Sequence, residues 1–174
     1  RQYNSIKDEI DAAVLDVIKR GHFIMGDQVK TLEEKMDSYL STQSVTCASG
    51  SDALFMALKA IDIKSGDEVI TSPFTFFATA GAIARAGGTP VFVDIENETY
   101  NIDPALIEEK ITKKTKAILP VHIFGHPADM GEINEIAKKH GLFVIEDACQ
   151  AIGSTYHGEM MGSMGDFGTF SFFP

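Results

Sequence analysis

Hydrophobic residues recur along the chain with two spacings, and these spacings predict its helices and strands. Apolar positions three and four residues apart are typical of amphipathic helices. Short apolar runs bounded by glycine or acidic residues are typical of buried strands. Helices are predicted at residues 4–19, 29–40, 51–60, 75–86, 104–111 and 130–140. Strands are predicted at residues 44–48, 68–71, 90–94, 117–121, 143–146 and 167–173.

Strands and helices alternate from residue 44 onwards, and this order indicates the fold class. Strands that alternate with helices of about a dozen residues form βαβ units with a parallel sheet and right-handed crossovers. We therefore predict a three-layer α/β/α fold around a mainly parallel sheet. No linker rich in Pro, Gly or Ser divides residues 1–174, so we expect a single domain. Because an apolar run precedes Pro174 directly, we also expect the domain to belong to a longer protein.

Composition and charge narrow the classes of partner. The net charge is −10 and 44% of the residues are hydrophobic. Nucleic-acid and anionic-membrane surfaces need clustered Lys and Arg, so we expect neither partner. No apolar stretch approaches the length of a membrane span. We predict that Cys47 and Cys149, which are far apart in the sequence, are free buried thiols of a cytoplasmic protein rather than a disulfide.

The five histidines show no spacing typical of metal ligands, and no metal site is predicted. His122 and His126 are four residues apart, but Gly125 and Pro127 place them in a loop. A zinc site at these two histidines is the less favoured alternative.

The residues that carry the clearest chemistry follow the strand predicted at residues 143–146. Asp147 comes directly after this strand, and Gln150 follows three positions later. In open α/β sheets, ligands bind just beyond the carboxyl ends of the strands. A carboxylate at that position can face a cationic nitrogen, and a nearby amide can reach a neighbouring oxygen. The pair therefore suits a protonated pyridine ring, and the alternative is a helix N-cap or a solvated loop acid.

Three further segments offer groups to a ligand. Ser51 and Asp52 open a predicted helix, where free backbone N–H groups bind phosphate, although an ordinary capped helix start is the alternative. Phe76 lies in a turn with several aromatic residues and can stack on a heteroaromatic ring, whereas core packing is preferred for Phe74 and Phe77. Ser171 lies within an apolar run, where a buried hydroxyl needs a partner such as a phosphate oxygen or a backbone carbonyl.

Together these residues lie in a set of motifs that resembles the DegT/DnrJ/EryC1/StrS family of sugar aminotransferases, which are fold-type I pyridoxal-phosphate enzymes. The motifs span nearly the whole chain, and their order and spacing are specific to that family. They include Gly-His-Phe-Ile-Met-Gly (21–26), Ser-Gly-Ser-Asp-Ala-Leu (49–54), Gly-Asp-Glu-Val-Ile-Thr-Ser-Pro-Phe-Thr-Phe (66–76), Pro-Val-Phe-Val-Asp-Ile (90–95), Glu-Asp-Ala-Cys-Gln-Ala (146–151) and Phe-Ser-Phe-Phe-Pro (170–174). The resemblance implies the N-terminal portion of a fold-type I large domain, without the C-terminal small domain.

The resemblance also implies how the cofactor, pyridoxal 5'-phosphate, would be bound. The backbone amides of Ser51 and Asp52 would hold its phosphate, with the hydroxyl of Ser171 assisting. The family's Schiff-base lysine is expected two residues beyond the Phe-Ser-Phe-Phe-Pro run, outside residues 1–174.

Three side chains would contact the cofactor ring. Phe76 would stack on it, and Gln150 would hydrogen-bond the ring hydroxyl. Asp147, the one catalytic residue expected within this sequence, would pair with the protonated ring nitrogen. The ring acts as an electron sink only while that nitrogen is protonated.

The implied reaction moves an amino group from an amino acid, with glutamate the expected donor, to a keto group of a nucleotide-linked sugar. A cytoplasmic homodimer that serves polysaccharide or secondary-metabolite assembly is expected. The nearest alternative is a sugar dehydratase of the same fold, in which a histidine replaces the lysine. A dehydrogenase-type nucleotide-binding domain would need a glycine fingerprint that the first βα turn lacks. A non-catalytic scaffold would have no reason to keep Asp147, Gln150 and Ser171.

Overall fold

The computed structural model describes residues 2–173, and most of its helices and strands follow the hydrophobic spacing of the sequence. The residues form two compact units, the first ending at Thr46 and the second beginning at Cys47. Among the described residues, no helix is both long enough and apolar enough to cross a membrane.

The first unit is helical. It contains α1 (Gln2–Ser5), α2 (Lys7–Arg20) and α3 (Asp27–Leu40). The helix predicted at residues 4–19 is thus interrupted at Ile6, which lies outside helical geometry. Gly21 ends α2 with a left-handed φ of 70°, and its N–H donates to the Val17 carbonyl, as is usual for a helix C-terminus.

The strand predicted at residues 44–48 does not form. Two carboxylates accept hydrogen bonds from the backbone N–H groups that would otherwise pair with a neighbouring strand. Asp37 accepts from the N–H of Ser44, and Glu33 accepts from both the N–H and the hydroxyl of Thr46. These side chains from α3 hold the segment in an irregular conformation.

The second unit is built on a parallel sheet of five strands, β1 (Glu68–Thr71), β2 (Thr89–Phe92), β3 (Thr115–Leu119), β4 (Phe143–Asp147) and β7 (Phe167–Thr169). Their order across the sheet is β2-β1-β3-β4-β7. A separate antiparallel pair consists of β5 (Thr155–Tyr156) and β6 (Glu159–Met160). The predicted α/β class with a mainly parallel sheet is confirmed.

Helices cover both faces of the sheet. Helices α4 (Gly50–Ala60) and α5 (Ala78–Ala86) share one hydrophobic core with β-strand residues such as Leu119. Helix α6 (Met130–His140) shares the other core, which contains the adjacent residue Ile118. Because neighbouring residues of a strand point to opposite faces, the sheet is the middle layer. The predicted three-layer α/β/α architecture is confirmed.

Three further elements differ from their predicted bounds, and one of them is α5, which begins at Ala78 rather than at residue 75. The helix expected at residues 104–111 forms two 3-10 turns, Pro104–Leu106 and Glu108–Lys110, since so short a segment has little to offset the cost of α-helix nucleation. Strand β7 ends at Thr169 because its last partner, Asp147, is the end of β4. Ser171 therefore lies beyond the sheet.

The order of the strands reverses at one point along the sheet. The chain leaves β1 towards β2 on one side, whereas it leaves β3 towards β4 on the other. Such a reversal is the topological switch point at which α/β sheets bind ligands. At this point Thr71 Oγ1 donates to the Leu119 carbonyl at 2.8 Å, and the Asp147 N–H donates to the Pro120 carbonyl at 2.9 Å.

Candidate functional site

Asp147 is the last residue of β4, and its side chain is buried with 5% exposure. Its Oδ2 accepts a hydrogen bond of 2.8 Å from Thr79 Oγ1, and its Oδ1 accepts a longer one of 3.3 Å from the Cys149 N–H. A turn rather than a helix follows Asp147, so it is neither a helix N-cap nor a solvated acid. A carboxylate offers about four acceptor positions, and this one retains capacity for a cationic donor.

The start of α4 is the predicted phosphate-binding segment. Ser49 caps the helix, because its Oγ accepts from the Asp52 N–H at 3.2 Å. The Asp52 carboxylate in turn accepts from Arg85 at 2.7 Å. The amides of Gly50 and Ser51, in the first turn, have no acceptor within the helix itself. Of the two amides predicted to hold a phosphate, that of Ser51 is therefore the more available, since the cap uses that of Asp52.

Close packing brings Ser171 to this helix start. A Cβ placed on Gly50 would lie 2.8 Å from Ser171 Cβ, 2.9 Å from Cys149 Sγ and 3.2 Å from Ser171 Oγ. Only glycine leaves space for these contacts. The structure thus brings the Ser171 hydroxyl close to the helix start that carries the Gly50 and Ser51 amides.

Gln150 is exposed, and its amide orientation is fixed by one contact. Its Oε1 accepts a hydrogen bond of 2.9 Å from the Phe124 N–H. An N–H can donate only to the oxygen of the amide, so the Gln150 NH₂ group faces away from Phe124 and is available to a ligand oxygen. This geometry suits the donor role that was predicted for Gln150.

Phe76 is 70% exposed and lies in the turn between β1 and α5. Its carbonyl accepts from the Thr79 N–H at 3.1 Å, and the side chain of that threonine reaches Asp147. The preference for core packing at Phe74 and Phe77 is wrong, because they are 43% and 82% exposed. The short turn leaves these aromatic rings at the sheet edge rather than beneath it.

The sequence reasoning missed a buried pair, His122 and Glu146, which are both fully buried. His122 Nδ1 accepts from the Ala128 N–H at 3.0 Å, so the ring proton lies on Nε2 and is donated to Glu146 at 2.9 Å. Burial alone would raise the pKa of Glu146, but hydrogen bonds from His122 and from two backbone amides outweigh it and lower that pKa. A glutamate at the end of one buried strand and a histidine after the neighbouring strand were the sequence features that could have revealed the pair.

The cysteines are free, as predicted, but only one of them is shielded. Cys149 is partly buried, whereas Cys47 is exposed, so the prediction of two buried thiols is wrong for Cys47. Burial raises the pKa of the Cys149 thiol strongly, and the negative charge of Asp147 adds to this effect.

The zinc alternative finds no support. Hydrogen bonds to Ala128 and Glu146 engage both ring nitrogens of His122. Within residues 2–173, no group of three or more His, Cys, Asp or Glu side chains could hold a metal ion.

Comparison with known proteins identifies the relatives of the chain. Over 174 residues it is 53% identical to a pleiotropic regulatory protein of Geobacillus stearothermophilus, a match that covers 99% of this chain and 47% of that protein. It is 49% identical to a UDP-N-acetyl-3-dehydro-alpha-D-glucosamine 3-aminotransferase of Acidithiobacillus ferrooxidans, with 97% of this chain and 46% of that protein covered.

Solved structures agree with this relationship. The crystal structure of DesV from S. venezuelae matches with a TM-score of 0.96 and 39% identity, over 99% of this chain and 47% of DesV. The chain thus spans about half the length of the relatives that it matches. The family model described as the DegT/DnrJ/EryC1/StrS aminotransferase family matches residues 4–174. The chain therefore belongs to the DegT/DnrJ/EryC1/StrS aminotransferase family.

Proposed function

We propose that the protein containing this chain is a pyridoxal-phosphate-dependent aminotransferase. It transfers an amino group from an amino acid, with glutamate as the proposed donor, to a keto group of a nucleotide-linked sugar. Relatives named as UDP-sugar and dTDP-sugar transaminases support this class of substrate. A solved PLP-form of the Streptococcus pneumoniae protein Spr1654 supports the cofactor, since it matches 92% of this chain with 34% identity and a TM-score of 0.88.

One observation carries the proposal: Cys149 lies next to both the Asp147 carboxylate and the start of α4. The Cys149 N–H lies 3.3 Å from Asp147 Oδ1. The sulfur of the same residue would lie only 2.9 Å from a Cβ on Gly50, where α4 begins. The proposed partner of a cationic ring and the proposed phosphate-binding helix start are thus adjacent, which supports a ligand that carries both groups.

The residues present fit this cofactor. The Ser51 amide and the Ser171 hydroxyl would hold its phosphate, with the start of α4 that includes Asp52 supplying the helix dipole. Phe76 would lie against the ring, and the Gln150 NH₂ group would donate to the ring hydroxyl. The bound cofactor supplies an electron sink for chemistry at the carbon that carries the amino group.

Asp147 has the central catalytic role in this proposal. Its carboxylate favours a protonated ring nitrogen by its negative charge and by a charge-assisted hydrogen bond. Because the side chain is buried, water screens this interaction little. Gln150 orients the ring, and Phe76 limits the access of water to one of its faces.

Several features of the whole protein belong to the same proposal. We propose a homodimer that works in the cytoplasm, where free thiols such as Cys47 and Cys149 persist. Residues 1–174 would form the N-terminal portion of the large domain. The cofactor-binding lysine that the resemblance predicts would follow residue 174, and it stays a prediction.

The test is an assay of the purified full-length protein with pyridoxal phosphate, glutamate and UDP- or dTDP-linked keto-sugars. We expect an amino sugar, identified by mass spectrometry, and an Asp147→Asn variant that loses most of this activity while keeping its circular dichroism spectrum. A deoxygenated sugar would indicate the dehydratase instead. Parental activity in Asp147→Asn would contradict the role of Asp147.

A further inference from the structure

We propose that Thr79 is a positioning residue for the amino-transfer reaction: its buried hydroxyl holds the Asp147 carboxylate in the orientation that meets the ring nitrogen, and Thr75 holds Thr79 in turn. This inference rests on the proposed function, because it assigns Asp147 to the cofactor ring.

The contact between Thr79 and Asp147 joins two distant elements. Thr79 lies in the first turn of α5 and is fully buried, and Asp147 ends β4, 68 positions later in the sequence. Within residues 2–173 the Asp147 carboxylate accepts two hydrogen bonds, and the one from Thr79, at 2.8 Å, is the shorter. It therefore sets the rotation of the carboxylate more firmly than the 3.3 Å bond from the Cys149 N–H.

The directions of these hydrogen bonds follow from simple chemistry. An ionised carboxylate can only accept, so the single hydroxyl proton of Thr79 is donated to Asp147. Thr79 Oγ1 also lies 2.8 Å from Thr75 Oγ1. Since Thr79 has no second proton, Thr75 must be the donor in that pair. The chain of donors runs from Thr75 to Thr79 to Asp147 Oδ2, and Oδ1 keeps acceptor capacity for the ring.

The backbone of Thr79 also contacts the aromatic turn. Thr75 and Thr79 flank Phe76 in the sequence, and the Phe76 carbonyl accepts from the Thr79 N–H at 3.1 Å. The turn that presents the ring-stacking residue is thus tied to the partner of the ring nitrogen. Two contacts that the cofactor ring needs are held relative to each other by Thr79.

Valine substitution is the sharpest test, because it keeps the shape of threonine and removes the hydroxyl. Thr71→Val is a matched control, since Thr71 is also fully buried and its hydroxyl also makes a 2.8 Å hydrogen bond, but to the Leu119 carbonyl. Thr79→Ser keeps the donor. Thr75→Val leaves Thr79 in place and removes only the hydroxyl that fixes it.

Each full-length variant is loaded with pyridoxal phosphate labelled with ¹⁵N in the ring, and the ¹⁵N NMR signal reports the protonation of that nitrogen. We expect Thr79→Val to move the signal towards that of the unprotonated ring and to weaken cofactor binding about tenfold, as for the loss of a hydrogen bond to a charged group. Thr79→Ser restores the parental signal, Thr75→Val moves it in the same direction by a smaller amount, and Thr71→Val leaves it unchanged.

The outcomes separate this inference from the proposed function. If the ring is protonated in the parent and the signal is unchanged in both Thr79→Val and Thr75→Val, the role of Thr79 is wrong. The proposed function is not affected by that result. An equal shift in Thr71→Val also overturns the role of Thr79, since any buried hydroxyl would then have the same effect. If Thr79→Val does not fold, the ¹⁵N signals of Thr75→Val and Thr79→Ser test the role of Thr79 instead. A parent protein that binds no cofactor overturns the proposed function and the inference together.

Discussion

Glu146 and Asp147 are adjacent carboxylates on β4, yet they lie on opposite faces of the sheet with different neighbours. Glu146 meets His122 at 2.9 Å, whereas Asp147 meets Thr79 of α5 at 2.8 Å. The alternation of side chains along a strand produces this separation. In the described part of the chain, four donors reach the Glu146 carboxylate oxygens, namely His122 Nε2 and the N–H groups of Gly162, Met164 and Gly165.

This difference assigns different roles to the two acids. The four donors fill the acceptor positions that a carboxylate has, so Glu146 is a structural residue that holds the segment at residues 162–165. Asp147 accepts only two hydrogen bonds among the described residues. It is therefore the carboxylate of the pair that can serve a ligand.

We expect Glu146→Gln to destabilise the fold by about 2–4 kcal/mol. The amide replaces one acceptor oxygen with a donor that faces backbone N–H groups. Urea unfolding at pH 7 measures the effect, and Glu159→Gln, at an exposed glutamate, is the control. Equal stability of the parent and Glu146→Gln at pH 7 would show that the four hydrogen bonds contribute nothing to the free energy of unfolding.

The difference in stability between the parent and this variant should depend on pH. Burial opposes ionisation of Glu146, but hydrogen bonds from His122, Gly162 and Gly165 prevail, and its pKa is lowered in the folded state. A group with a lowered pKa stabilises the fold above its unfolded pKa of about 4.3. That contribution is lost as the pH falls through the folded pKa. The difference between parent and variant should thus narrow in acid, and a difference that widened there would contradict the assignment.

Gly50→Ala should destabilise the protein by about 1–3 kcal/mol and weaken cofactor binding, because the added Cβ would meet Ser171 and Cys149 at under 3 Å. Gly81→Ala is the matched control in α5, where the nearest atoms to a Cβ would be those of the Phe77 ring, at 3.0 Å. That ring is 82% exposed and can move. Denaturant unfolding and cofactor titration compare the two variants, and equal losses would argue against a special packing role for Gly50.

Gln150 offers a way to separate a structural contact from a ligand contact. Gln150→Glu keeps an oxygen for the Phe124 N–H but loses the NH₂ donor, whereas Gln150→Leu loses both. We expect each variant to lower kcat/KM about tenfold, with unfolding stability reduced only in Gln150→Leu. Parental kcat/KM in Gln150→Glu would exclude the predicted hydrogen bond to the ring hydroxyl.

The two cysteines should react at different rates with iodoacetamide. The thiolate is the reactive form, and burial together with the charge of Asp147 raises the pKa of Cys149. Cys47 is exposed. At pH 8, peptide mass spectrometry of the folded protein should find label at Cys47 well before Cys149, and unfolding should abolish the difference. Equal labelling in the folded protein would contradict the described environment of Cys149.

Much of the fold was predictable because nearby residues determine where several helices and strands begin and end. Strand β1 and helix α6 have the predicted bounds, since an apolar run fixes the first, and Asp129 and Gly141 cap the second. Asp147 lies at the predicted sheet edge for the same reason. The apolar run before it determines where β4 ends.

Features that depend on distant partners were not predictable from local patterns. The segment at residues 44–48 has strand-like residues, but carboxylates of α3 take its N–H groups. The pairing of Glu146 with His122 joins residues 24 positions apart. The position of Ser171 beside Gly50 depends on where β7 loses its partner. None of these contacts produces a periodic pattern of hydrophobic and polar residues in the sequence.

The pairing of Asp147 with the ring nitrogen is tested most directly by a crystal structure of the full-length protein loaded with pyridoxal phosphate. We expect an Asp147 carboxylate oxygen within about 3 Å of the ring nitrogen, with the phosphate at the start of α4. A cofactor whose ring nitrogen faces another group, with the Asp147 carboxylate beyond hydrogen-bond distance, would contradict this assignment.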